Sequence, residues 1–147
     1  MATPHLVRIV YVSALRSEVS RSELDTMLST WRRQNAQHAI TGFILVRGDS
    51  VFQVLEGFPD VVGALFTTIS QDPRHHAVTK LIDEPIGQRS FGDWSMGHAR
   101  RGRAELGCAA PLRPLLDPSF RYWQCDAGMA AALVSAFTTG PWRRSIG

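Results

Sequence analysis

The chain has 147 residues, 44% hydrophobic and 20% charged, the make-up of one globular domain and not of a disordered, collagen-like or disulfide-framework chain. No apolar run approaches the ~20 residues that span a bilayer, and the Met1-Ala-Thr-Pro-His5 start lacks the basic-then-apolar order of a secretory signal, so a cytoplasmic protein is expected. The formal charge of +3 is uneven: residues 1–98 hold 9 Lys+Arg against 10 Asp+Glu, and residues 99–147 hold 7 against 3.

Fifteen of the sixteen cations are Arg, which suits carboxylate or phosphate contacts. No nucleic-acid motif or interleaved aromatic set accompanies them. The basic tail is expected to be solvated or to face an acidic partner, with neither nucleic acid nor membrane as a partner. Cys108 and Cys125 stand too far apart for a CxxC pair and read as reduced thiols.

Leu6 to Ser13 is rich in β-branched and aromatic residues and reads as a first strand, with Val7, Ile9 and Tyr11 on one face. Ser20-Arg-Ser-Glu23 is a capping box. Behind it Leu24, Met27, Leu28 and Trp31 repeat at i, i+3, i+4 and i+7, an amphipathic helix. Ile40 to Val46 and Val51 to Leu55 are two strands around Arg47-Gly-Asp-Ser50, where Gly48 suits a hairpin turn. Pro59 fits a first helical turn, and Val62, Leu65, Phe66 and Ile69 form a second stripe that stops at Asp72-Pro73. Val78 to Ile82 and Trp94 to Arg100 are two more strands, joined by a polar loop from Pro85 to Gly92.

The order β-α-β-β-α-β-β predicts an α+β fold: a ferredoxin-like mixed sheet with both helices on one face. The rest of the chain contains an Asp117-Pro118 helix start and a stripe of Met129, Leu133, Ala136 and Phe137. Large apolar residues there are a liability in water, so the C-terminal helices are expected to cover the other face of the sheet.

Gln53 is an amide within the apolar strand Val51-Phe-Gln-Val-Leu55, and a buried amide left without partners costs about 1–3 kcal/mol. Tyr11 is the matching oddity on the first strand. The pair reads either as a satisfied core amide beside a core tyrosine or as a relay onto a polar ligand. Asn35 reads either as a helix C-cap or as an amide offered to a heterocycle edge. Asp72-Pro-Arg-His-His76 lacks a third ligand at metal spacing, so no metal is expected. No Ser-His-Asp set, Walker loop or GxGxxG is present.

Taken together, Tyr11-Val-Ser13, Asn35 followed by Ile40-Thr-Gly42, Phe52-Gln-Val-Leu-Glu-Gly57, Asp72-Pro-Arg-His75 and Arg89-Ser-Phe-Gly-Asp-Trp-Ser-Met96 resemble the BLUF family, blue-light sensors using FAD. The resemblance covers residues 6–100. It implies non-covalent FAD, with Gln53 bridging Tyr11 and the flavin N5/O4 edge and Asn35 on the pyrimidine edge. It also implies Arg74 and His75 near the O2 side or the ribityl phosphate, and Trp94 and Met96 at strand-five positions that exchange near Gln53. Gln34 stands where some members have a second ring-binding Asn, and Trp31 where a small hydroxyl residue is common.

The resulting expectation is a short photoreceptor, not an enzyme, with a flavin-binding domain over residues 1–100 and a helical extension over 101–147. Light would move an electron from Tyr11 and a proton through Gln53. The rearranged hydrogen bonds would be read out through strand five and the C-terminal helices to a downstream signalling protein, from a homodimer or higher homo-oligomer. The competing readings are a small ferredoxin-like enzyme using Tyr11, His75 or His98 as acid or base, and a light-independent regulatory module.

Overall fold

In a computed structural model, which describes residues 5–16, 20–47, 49–92, 97–98 and 119–139, the elements follow from local chemistry. They are β1 (Leu6–Leu15), α1 (Arg21–Gln37), β2 (Thr41–Arg47), β3 (Ser50–Gly57), α2 (Pro59–Gln71), β4 (His75–Ile86), β5 (Gly97–His98), a 3₁₀ turn (Tyr122–Gln124) and α3 (Ala127–Thr139). The Ser20 hydroxyl caps α1 by accepting from the Glu23 N–H at 3.1 Å, which satisfies one of the orphan donors of a helix start. Pro59 opens α2, and the helix closes at Asp72, whose N–H donates to the Ile69 carbonyl.

The sheet order is β4-β1-β3-β2-β5, antiparallel except for the parallel β2–β5 pair. This is the expected ferredoxin-like α+β sheet with an added strand. β2 and β3 pair down to Arg47↔Ser50; Gly48 lies outside the described residues. Gly42 has φ +146°, and a Cβ there would collide with the Val54 carbonyl oxygen. Only glycine lets β2 lie this close to β3 in that conformation.

Both faces of the sheet are covered, which explains why β1 and β3 read as almost unbroken apolar runs. On one face Ile9, Tyr11, Ile44 and Leu55 pack with Leu28 of α1 and Val62 of α2. On the other, Val10, Val12, Phe43, Phe52 and Val54 pack under Phe91, Phe120, Tyr122, Leu133 and Val134, so the C-terminal helical segment lies opposite α1 and α2. Met129 packs at the border of that cluster. The Asp117-Pro118 start and the Ala136 and Phe137 side chains lie outside the described residues.

Two readings need correction. β4 runs from His75 to Ile86, well beyond the Val78–Ile82 core of the prediction, because β1 offers ten residues of ladder and an edge strand needs no apolar outer face. Pro85 therefore sits in the strand, opposite Val7, as an edge position allows. Asn35 is not the cap of α1: that role falls to His38, whose N–H reaches the Ala36 and Asn35 carbonyls. Of the predicted Trp94–Arg100 strand, Gly97 and His98 pair with Phe43 and Ile44, while Trp94 and Met96 lie outside the described residues.

On the second face sits a buried ion pair absent from the sequence reading. The Glu56 carboxylate, fully buried, accepts from Arg8 at 3.0 Å, Thr41 at 3.2 Å, and the Ser90 and Phe91 N–H groups at 2.9 Å. Arg89 adds bonds to the Thr41 hydroxyl and the Glu56 carbonyl. The loop after β4 is thereby fastened to β1, β2 and β3, and the Phe91 ring meets Phe43 edge-on at 4.9 Å. Removing one partner of a buried pair strands the other charge and costs about 3–5 kcal/mol. Glu56→Ala is therefore expected to lower the urea midpoint by a corresponding amount, and an unchanged midpoint contradicts the clamp.

Candidate functional site

Between α1, α2 and the sheet lies a cavity of about 130 Å³, lined by Tyr11, Trp31, Gln34, Asn35, Gln53, Leu65, Thr68, Ile69, Asp72, Arg74 and His75. Helical spacing builds its walls. Trp31, Gln34 and Asn35 stand at i, i+3 and i+4 on α1, Leu65, Thr68 and Ile69 repeat that spacing on α2, and such positions share one helix face. The floor is the cross-strand pair Tyr11↔Gln53, and the Asp72–His75 turn closes one end. All seven residues expected to touch a cofactor meet here.

The floor is a joined pair: the Tyr11 hydroxyl donates to Gln53 Oε1. Both groups are buried. Phe66 of α2 packs against the Tyr11 ring at 5.6 Å in an edge-to-face arrangement, and the Lys80 ammonium lies 4.9 Å from the centre of the Phe66 ring. Burial, with a smaller contribution from the Asp72 charge, pushes the Tyr11 phenol far above its ordinary range. The proton therefore stays on the hydroxyl at neutral pH.

The closed end is organised by Asp72. Its carboxylate accepts from the Arg74 backbone N–H at 2.9 Å and from the guanidinium, with the shortest contact at 2.7 Å. The Arg74 side chain holds the Asp72 carboxyl down at about 2, and Asp72 in turn raises Arg74. His75 is buried, and its Nδ1 lies 3.0 Å from the Ser13 Oγ. Burial pulls its pKa below the ordinary value, so its neutral form is favoured. Beyond Arg74 a second hollow of about 600 Å³ opens beside Arg16, Ser22, Thr26 and Met27.

This donor set fits a flat heterocycle with a polar rim. Three amides, the Tyr11 and Thr68 hydroxyls and one imidazole offer in-plane donors and acceptors, while Leu65, Ile69 and the half-buried Trp31 are apolar enough to meet ring faces. The cavity alone is smaller than the usual ligand site of about 300–1,000 Å³, and Arg74 lines both it and the larger second hollow. Among the described residues no group of three or more His, Cys, Asp or Glu converges as a metal site.

Asn35 is buried at the cavity because α1 continues past it, which leaves its side chain on the inner face. The sequence reading gave Thr68, Ser13 and Asp72 no roles of their own. Thr68 could have been found as the polar residue at i+3 from Leu65. Asp72 was detectable from its Asp-x-Arg spacing, which allows a side chain to bond the backbone two residues on.

Residues 6–97 match the family model described as BLUF, sensors of blue-light using FAD. Among curated proteins, the blue light- and temperature-regulated antirepressor BluF of Escherichia coli (strain K12) is 33% identical over 91 residues, 62% of this chain and 23% of that protein. Subunit beta of the photoactivated adenylate cyclase of Euglena gracilis is 36% identical over 113 residues, 76% of this chain and 13% of its own length. The chain thus spans under a quarter of these relatives. Among solved structures, the dark state of the BLUF protein BlrB aligns with a TM-score of 0.72 at 31% identity, covering 93% of this chain and 98% of that one. The BlsA ground state aligns with a TM-score of 0.79 at 24% identity, covering 92% and 89%, a likeness of fold alone. On the family-model match, the chain belongs to the BLUF family of blue-light sensors using FAD.

Proposed function

We propose that the cavity holds the flavin ring of FAD and that Tyr11 and Gln53 are the switch that light operates. The observation that carries this reading is the buried Tyr11–Gln53 hydrogen bond on the floor of an amide-lined slot. FAD, when bound, supplies the visible absorption and an excited state that accepts an electron. Tyr11 would be the residue that donates an electron to such a state, and its phenolic proton would have Gln53 Oε1 as acceptor along their bond. Gln53 would then be the residue whose amide ends exchange donor and acceptor roles, a change of contacts without turnover.

The other lining residues hold the cofactor in this reading. Asn35 and Gln34 meet the pyrimidine edge, His75 and Arg74 the O2 side or the ribityl phosphate, and Trp31 closes the slot. Because Asp72 already neutralises Arg74, that end attracts a phosphate less than a lone Arg does. Trp94 and Met96 stand at the strand-five positions that family members exchange near Gln53. Residues 1–100 form the flavin-binding unit and residues 101–147 its extension, which faces a downstream signalling protein or a second copy of the chain. The curated relatives are a regulator of repression and a cyclase by name, which supports an effector elsewhere. Among the described residues no helix is long and apolar enough to cross a membrane.

Gln53→Leu and Tyr11→Phe are expected to retain flavin and lose the light-induced red shift of its absorption. A normal photocycle in either variant, with flavin content measured beside the spectra, sinks the assignment. Trp31→Phe is expected to keep flavin and change the rate of dark recovery by about tenfold, which requires only about 1.4 kcal/mol in the barrier. A lowered melting point with unchanged recovery would make Trp31 a packing residue only.

His75 supplies a pH test. Its folded pKa lies below the ordinary 6.5, so the unfolded chain takes up the proton more readily. The contribution of His75 to stability is complete above that ordinary value and is lost as pH falls below it. Between about pH 7 and about pH 5 the melting temperature of the native protein should fall more steeply than that of His75→Gln, which cannot titrate in that range. Equal slopes refute this role.

A further inference from the structure

Three residues of β3 stand at a spacing of three, and each is tied to a different part of the molecule. Gln53 points to the cavity and bonds Tyr11. Ser50 and Glu56, of opposite parity, serve the other face. The buried Ser50 Oγ accepts from the Tyr122 N–H at 3.0 Å, and Glu56 holds the Ser90–Phe91 loop. From Tyr122 the connection runs on: its carbonyl accepts from the Cys125 N–H at 2.9 Å, and the Asp126 carboxylate accepts from the Met129 N–H at 2.8 Å at the start of α3. The Tyr122 ring also lies 6.0 Å from Phe52, the neighbour of Gln53.

We propose that β3 itself carries the switch through the sheet, and that Ser50 is the positioning residue that hands it to the C-terminal segment. This rests on the Gln53 reading above. Tyr11 and Gln53 face each other in register, as do Arg8 and Glu56 at one end and Ala14 and Ser50 at the other. An exchange of the Gln53 amide ends changes the length and direction of its bond to Tyr11, and β3 shifts against β1. The Glu56 end is held by four donors from β1, β2 and the loop. The Ser50 end meets the C-terminal segment through one buried hydroxyl–amide bond to a short turn, beside the part-exposed Asp49–Arg121 pair at 3.5 Å, a looser attachment than that of Glu56, so it is the end that moves.

The test is amide hydrogen exchange at Tyr122 and Cys125 in the full-length, FAD-loaded protein, dark and illuminated, read by NMR. Illumination should speed exchange at both by about fivefold or more, the low end of coupling between distant sites. Ser50→Ala should exchange quickly at Tyr122 in either state and lose the light dependence at Cys125, while keeping the red shift. Ser50→Thr, which retains the hydroxyl, should restore that dependence. Equal dark and light exchange in a native protein with a full red shift overturns the proposal, as does Ser50→Ala that keeps the native light dependence at Cys125. Absence of a red shift in the native protein is the distinct failure of the Gln53 reading and removes the proposal with it. Should Ser50→Ala not fold, the native dark and light comparison decides alone.

Discussion

A carboxylate removed from water must find donors for both oxygens or unfold what surrounds it, and Glu56 finds them on three separate pieces of chain. Arg8 and Thr41 come from the strands beside β3, and the Ser90 and Phe91 amides come from the loop after β4. The arrangement is unforgiving because Arg8 is divided between Glu56 and Glu84 while its own Nε is buried without a partner. A pair of this kind adds little net stability over an apolar substitute, yet it leaves few alternative ways to close the loop onto the sheet. With the loop closed, Phe91 packs on Phe43, and Phe43 pairs with β5.

The two faces of the sheet divide the work. The face under α1 and α2 admits polar side chains because they converge on one cavity. The opposite face is sealed by Phe120, Tyr122, Leu133 and Val134, which bury at about 1.5–3 kcal/mol each for side chains of this size. Since the central strands are covered on both sides, a change at one face has only the thickness of a single strand to cross before it meets the other.

What was legible beforehand follows from how local each cause is. Helical stripes, the Ser20 cap and Pro59 are decided within a few residues, and among the described residues the structure agrees with them. Tyr11 and Gln53 stood out because a polar group in an apolar run must be answered somewhere. Their direct bond was beyond reach, since register across 42 residues is set by the whole β1–β3 ladder. Asn35 carries two readings in the sequence, and the choice turns on where α1 ends, a boundary that local propensity decides poorly. The full length of β4 is not legible in the sequence, because an edge strand exposed on its outer side has no apolar alternation to detect. Glu56 gives no local signal because its donors lie 15, 34, 35 and 48 residues away.

The outer strand β4 bears on assembly. It presents twelve residues at the margin of the sheet, long enough to template a neighbouring chain. Its composition works against that. Lys80, Asp83 and Glu84 are exposed along it, and Pro85 lacks an amide proton to share. Ala77 takes φ 54°, and the ladder to β1 breaks register twice, so the strand is not a straight rail. A second molecule docking edge to edge would have to desolvate these charges and match an irregular backbone. Sheet extension from copy to copy across the β4 edge is thus disfavoured.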